Sequence, residues 1–125
     1  MRASEHDRKL KISKLNLTSA LLKLTRGEFV HEDLEFRCNE PKYYLESEAF
    51  YPSGLDVTPL WESDHTITGF YFDGATPVFV VYCVDGLDEV REVGRSVEDL
   101  IGYLVEEYAE NEEQVRSVLS SQGVT

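Results

Sequence analysis

Hydrophobic positions along the chain change their period about three-quarters of the way through. From Ile67 to Phe72 the order Ile-Thr-Gly-Phe-Tyr-Phe is rich in β-forming residues, and Asp73-Gly74-Ala75-Thr76 closes it as a turn. Pro77 to Val84 follows; after its proline nearly every position is apolar, which predicts a strand covered on both faces. Asp85-Gly86-Leu87-Asp88 reads as a second turn of the Asp-Gly type, and Glu89 to Val93 as a shorter third strand. Two hairpins in succession make an antiparallel meander. Beyond it the period lengthens. Ser96-Val97-Glu98-Asp99 is a variant capping box, and Val97, Leu100, Ile101, Leu104 and Tyr108 form one helical stripe. Asn111-Glu112-Glu113-Gln114 repeats the cap, Val115, Val118 and Leu119 give the next stripe, and Gly123 suits a terminator. Strands followed by helices, without βαβ alternation, predict a single α+β domain over residues 1–125, an antiparallel β-meander packed by C-terminal helices.

The first half is less regular. Residues 1–9 are polar and read as a flexible basic tail. Between Leu10 and Leu24, Leu17, Leu21 and Leu24 fit a short helix with Thr18 as N-cap and Gly27 as its stop, while Ile12, Leu15 and Leu17 fit the start of an extended segment equally well. Phe29 to Arg37 alternates weakly and suits a strand or an irregular segment. Tyr43 to Tyr51 is aromatic and acidic, and Pro52-Ser53-Gly54 reads as a turn. Val57 to Trp61 looks extended, with Pro59 demoting it to an edge or bulged strand because proline cannot donate to a ladder.

Composition narrows the class. The 125 residues match the ~100–150 of one ordinary domain. Cys38 and Cys83 stand far apart in no CxxC or Cys/His cluster, which argues against a disulfide scaffold or a zinc module. Apolar runs fall well short of the ~20 residues of a membrane helix, and no apolar h-region follows the N-terminal charges. A cytoplasmic protein is the expectation.

Charge changes the picture more. The formal charge is −12, and it is segregated. Residues 1–26 hold seven basic groups against two acidic ones, for +5, while the remaining 99 hold five against 22, for −17. So negative a body repels nucleic-acid backbones, whose binding normally replaces counterions with Lys and Arg. Solubility alone explains an acidic surface, and a basic protein partner explains it equally well.

Candidate chemistry is thin. His6 falls in the tail, His31 precedes Glu32-Asp33, and His65 follows Asp64; none has the spacing of paired metal ligands or a general base. No glycine-rich phosphate loop occurs. Cys83, inside the most apolar strand, is expected to be a buried small hydrophobe. Cys38 lies beside Arg37, which favours the thiolate, but no nearby histidine serves as base. A carboxylate pair is expected by chance in so acidic a chain and carries little weight. The reading is therefore not an enzyme, with no metal and no cofactor implied.

Surfaces remain. Tyr43, Tyr44, Phe50, Tyr51 and Trp61 cluster in loop-like sequence, as interface anchors or as a small second core at the open end of the sheet. From 85 to 113 there are 11 acidic residues against Arg91 and Arg95. A solvated helix face or a charged strand edge accounts for part of this density. The candidate partner-binding set is Asp85, Asp88, Glu89 and Glu92 for electrostatics, with Trp61, Tyr44 and Tyr51 as anchors.

The Ile67-Thr68-Gly69-Phe70 strand, the Asp73-Gly74 turn, the Pro77-Val78-Phe79-Val80 strand and the Ser96 to Ile101 helix resemble the SUKH superfamily of bacterial toxin-immunity proteins over residues 61–108. Arg26-Gly27 is only a loose counterpart of the turn that follows the family's N-terminal helix. The resemblance implies an α+β domain whose face binds and occludes a toxin, often a nuclease or deaminase; some members look like scaffolds instead. The expected function is thus a non-enzymatic immunity protein for a basic toxin. A regulatory scaffold of the same fold, a small hydrolase using His31 or His65, and a structural subunit forming homo-oligomers are the alternatives.

Overall fold

The meander is present in the computed structural model, which describes residues 5–35, 37–40, 57–63, 66–83 and 86–120, and it has one strand more than the two hairpins require. Strands β1 (Thr58–Ser63), β2 (Thr66–Asp73), β3 (Thr76–Cys83) and β4 (Gly86–Gly94) lie in that order in one antiparallel sheet. Helices α1 (Glu5–Ser13) and α2 (Ser19–Thr25) precede it, and α3 (Val97–Tyr108) and α4 (Glu112–Leu119) follow it. The chain is an α+β domain with C-terminal helices, as the periodicity predicts.

β3 is apolar at successive positions because both of its faces are covered. Phe79 joins the main core with Phe70, Trp61, Leu21, Leu24, Leu100 and Leu104, whereas Val78, Val80 and Tyr82 join a second cluster with Val57 and Ile67. Alternate side chains of a strand point to opposite faces, so the two clusters lie on the two faces of the sheet. Trp61 is 1% exposed and belongs to the main core. It is therefore not the exposed anchor that its loop-like surroundings imply.

β1 is both an edge strand and bulged, the two outcomes that Pro59 allows. Pro59 pairs with Gly69 and Trp61 with Thr68, so Leu60 is the extra residue. Gly69 has to be glycine here, since a Cβ would stand 2.7 Å from the Thr58 carbonyl oxygen. On the outer side of β1, Asn39 and Glu62 exchange two backbone hydrogen bonds of 2.9 Å.

Residues 5–9 form the first turns of a helix rather than a tail, and the reason is Arg8. Its side chain is 1% exposed. Nε donates to Pro59 O at 2.8 Å, and Nη2 donates to Leu60 O at 2.8 Å and to Thr25 O at 2.6 Å. A bulge frees carbonyls from the ladder, and the last turn of a helix leaves its own carbonyls without intrahelical donors. One planar guanidinium thus serves acceptors from both β1 and α2.

α2 begins and ends where its sequence signals lie. Thr18 is the N-cap, its hydroxyl accepting from Leu21 N at 3.2 Å and donating to Leu119 O, at the end of α4, at 2.6 Å. Gly27, at φ +73°, closes the helix, with Gly27 N donating to Leu24 O and Glu28 N to Lys23 O, both at 3.0 Å. Ile12 lies inside α1, so no extended segment begins there, while Leu17 stands just before the Thr18 cap of α2; the described residues of 29–37 hold a 3-10 turn at Glu32–Leu34.

Two further expectations change. β4 starts at Gly86, so Asp88 is a strand residue and not part of the turn. Cys83 is exposed, not buried: it is the last residue of β3, paired with Thr66 at the fringe of the sheet where burial gives out. The caps of α3 and α4 match their signals, with Ser96 Oγ accepting from Asp99 N and Asn111 Oδ1 from Gln114 N, each at 3.1 Å. Gly123 lies outside the described residues; α4 ends at Leu119 with Ser120 as its cap.

Candidate functional site

α3 turns Leu100, Ile101, Leu104 and Val105 into the core, and that choice of face fixes what it presents outward. Together with β4 and α4 it borders an open groove of about 900 Å3. Seven carboxylates line this groove, from Glu92, Glu98, Asp99, Glu106, Glu107, Glu112 and Glu113, against the guanidinium groups of Arg91 and Arg116. Glu107 also lines a neighbouring recess of about 560 Å3 that adds Glu32, Asp33, Glu35 and Glu110, with Arg37 and Tyr108. The two recesses form one acidic face.

Acids from the first third of the chain reach this face through a clamp. Asp33 Oδ2 accepts from Glu110 N at 3.0 Å and from Asn111 N at 3.2 Å, which holds the 3-10 turn against the α3–α4 corner. His31 Nδ1 accepts from Asp33 N at 3.0 Å, so Nε2 carries the proton and donates to Gln114 Oε1 at 2.8 Å. His31 is thereby a strut between two elements. His6 is exposed on α1, and His65 lies outside the described residues.

Aromatic rings floor part of the face. Tyr103 and Tyr108, both half-buried, meet edge to face with centroids 6.4 Å apart and planes at 82°. Burial is the main reason both phenols are held above their ordinary range. The Arg91 guanidinium lies 5.4 Å from the Tyr103 centroid and 3.6 Å from Glu107, and that of Arg37 lies 5.8 Å from the Tyr108 centroid.

Arg37 therefore faces Tyr108 and does not activate Cys38. The Cys38 thiol is 6% exposed, and burial pushes its pKa far up, away from the thiolate. Among the described residues no group of three or more His, Cys, Asp or Glu side chains is arranged to hold a metal ion, and no helix is long and apolar enough to cross a membrane.

No family model, curated protein or solved structure matches the chain.

Of the residues singled out from the sequence, Glu92 lines the groove, where its Oε1 lies 3.5 Å from Arg95 Nη2. Glu89 is exposed on β4 outside the groove, and Asp88 lies on the same strand. Asp85, Tyr44 and Tyr51 lie outside the described residues. The acidic density that the sequence shows over residues 85–113 includes six of the seven groove carboxylates on α3 and α4, together with Glu92 of β4. Sequence reasoning passed over Tyr103, an aromatic residue off the apolar stripe of α3 and four positions before Glu107. An aromatic–carboxylate pair at i, i+4 shares one helix face, and that spacing was the available signal.

Proposed function

We propose that this protein is a non-enzymatic binding domain that seats a basic protein surface in the groove between β4, α3 and α4. The observation that carries the reading is the groove itself, a concavity with seven carboxylates and two arginines along its walls. A positive surface entering it gains complementary field at short range and is steered toward it at long range. The resemblance of residues 61–108 to SUKH immunity proteins supports the narrower form of the reading: the partner is a toxin that handles nucleic acid, and the acidic face fills its positive substrate channel.

The test uses the full chain as bait against extract of its native host, with the retained protein identified and then eluted by salt. The expected partner is basic. It should leave the column between 0.1 and 1 M salt, as the Debye length falls from about 10 to about 3 Å. A Glu98→Lys/Glu106→Lys/Glu113→Lys variant that melts like the wild type should retain none of it. Retention that is insensitive to salt, or unchanged in the charge-reversed variant, overturns the proposal.

A further inference from the structure

Two tyrosine rings inside the acidic face already carry guanidinium groups, and those groups belong to the chain itself. Arg91 reaches Tyr103 from β4, and Arg37 reaches Tyr108 from the segment after the 3-10 turn. Carboxylates alone attract any cation. A ring face discriminates, because a guanidinium is planar and weakly hydrated and stacks on it, whereas an ammonium keeps its water.

The seats are firm and their occupants are not. Tyr103 and Tyr108 are both half-buried and brace each other edge to face. Arg91 and Glu107, by contrast, have side chains 62% and 44% exposed at a separation of 3.6 Å. A solvent-exposed ion pair of that length holds weakly and is screened by salt. A rigid aromatic platform with a loosely held resident cation is a seat that an incoming group of the same chemistry can take.

We infer that the acidic face reads arginine in preference to lysine, with two arginine side chains of the partner replacing Arg91 on Tyr103 and Arg37 on Tyr108. This rests on the reading that a basic partner occupies the groove, and it adds the identity of the cation. Arg91 and Arg37 then act as placeholders that keep the rings covered in the unbound protein. The rings are neighbours, with centroids 6.4 Å apart, but their planes stand at 82°, so the two seats face different directions and take their arginines from different sides.

The probes are two peptides of equal charge, four arginines or four lysines spaced by Gly-Ser, titrated calorimetrically into the full chain at low salt. The arginine peptide is expected to bind roughly five- to twentyfold more tightly. A Tyr103→Leu/Tyr108→Leu variant should bring the ratio to within about twofold while leaving the lysine peptide where it was. Arg91→Ala should tighten the arginine peptide more than the lysine peptide, because a competitor for the ring has been removed. If the tyrosine variant does not fold, the wild type still gives a direct readout: peptide arginine δ-methylene protons should shift upfield on binding, from the ring current of the tyrosines. Equal affinity for the two peptides, or no such shift, overturns the arginine inference and leaves the acidic-face reading intact. Binding of neither peptide overturns both.

Discussion

Replacing Arg8 by alanine tests the least expected contact in the fold. The substitution takes the donor away from three buried carbonyls, Pro59 O, Leu60 O and Thr25 O. Each buried acceptor left dry costs about 1–3 kcal/mol, and the vacated volume adds a cavity. Against this, the variant no longer holds a cation away from water, which offsets part of the loss. The balance is a destabilisation of about 3–5 kcal/mol, the range found when one partner of a buried polar arrangement is removed. Domains of this size are stable by about 5–15 kcal/mol, so the loss is a large fraction of the whole. It should appear as a melting temperature lower by about 10–20 °C, and as a lower urea midpoint at unchanged slope. Arg8→Met separates the two contributions: it fills the volume without donating, so it should recover the packing share and leave the hydrogen-bond share lost. Circular dichroism on the three proteins suffices. An Arg8→Ala variant that melts within about 2 °C of the wild type refutes the buried guanidinium, since surface substitutions cause changes of that size. Residues 5–9 would then be the solvated tail that their polarity suggests.

Two further outcomes follow from burial. Glu62 on β1 has a buried Oε2 without a hydrogen-bond partner among the described residues, and desolvation raises its pKa. Its carboxyl binds a proton more readily folded than unfolded, so its contribution to stability is fullest below the ordinary carboxylate range. That contribution is lost as pH rises through its raised value. Glu62→Gln should therefore raise the melting temperature by a few degrees at pH 7 and by nothing measurable near pH 4; an equal gain at both pH values rejects desolvation as the cause. The thiols should differ under native conditions: Cys83 is exposed and Cys38 is buried with a raised pKa. A thiol reagent should modify one cysteine per chain promptly and the second only on unfolding, and mass mapping that places the fast label on Cys38 contradicts the packing.

The second half of the fold was legible because its signals are local. A run of apolar residues bounded by Asp-Gly turns, and caps followed by apolar stripes, state their own structure within ten residues of sequence. The edge and bulge of β1 were legible for the same reason, since Pro59 carries the restriction itself. The N-terminal helix was not legible. Arg8 looks solvent-directed in a list of neighbours, and only its partners, 51 and 52 positions away, make it a core residue. Trp61 differs in the opposite way: an edge strand next to aromatic, loop-like sequence reads as surface, yet packing from the other elements buries the ring in the main core. At the candidate site, net charge located the acidic half of the chain but not the face. Which carboxylates converge depends on how α3 rotates onto the sheet and on the Asp33 clamp, whose partner backbone lies 77 and 78 positions on.

The hydroxyl of Thr18 bonds across 101 positions to the carbonyl of Leu119. During synthesis, α2 can cap its own first turn as soon as it leaves the ribosome, but its N-cap cannot complete its second bond until nearly the whole chain has followed. Arg8 waits in the same way for the bulge at 59–60. α1 can thus be fastened once β1 is made, α2 fully only once α4 is. The positively charged segment is made well before the carboxylates of α3 and α4, and only a chain carried to α4 can assemble the acidic face.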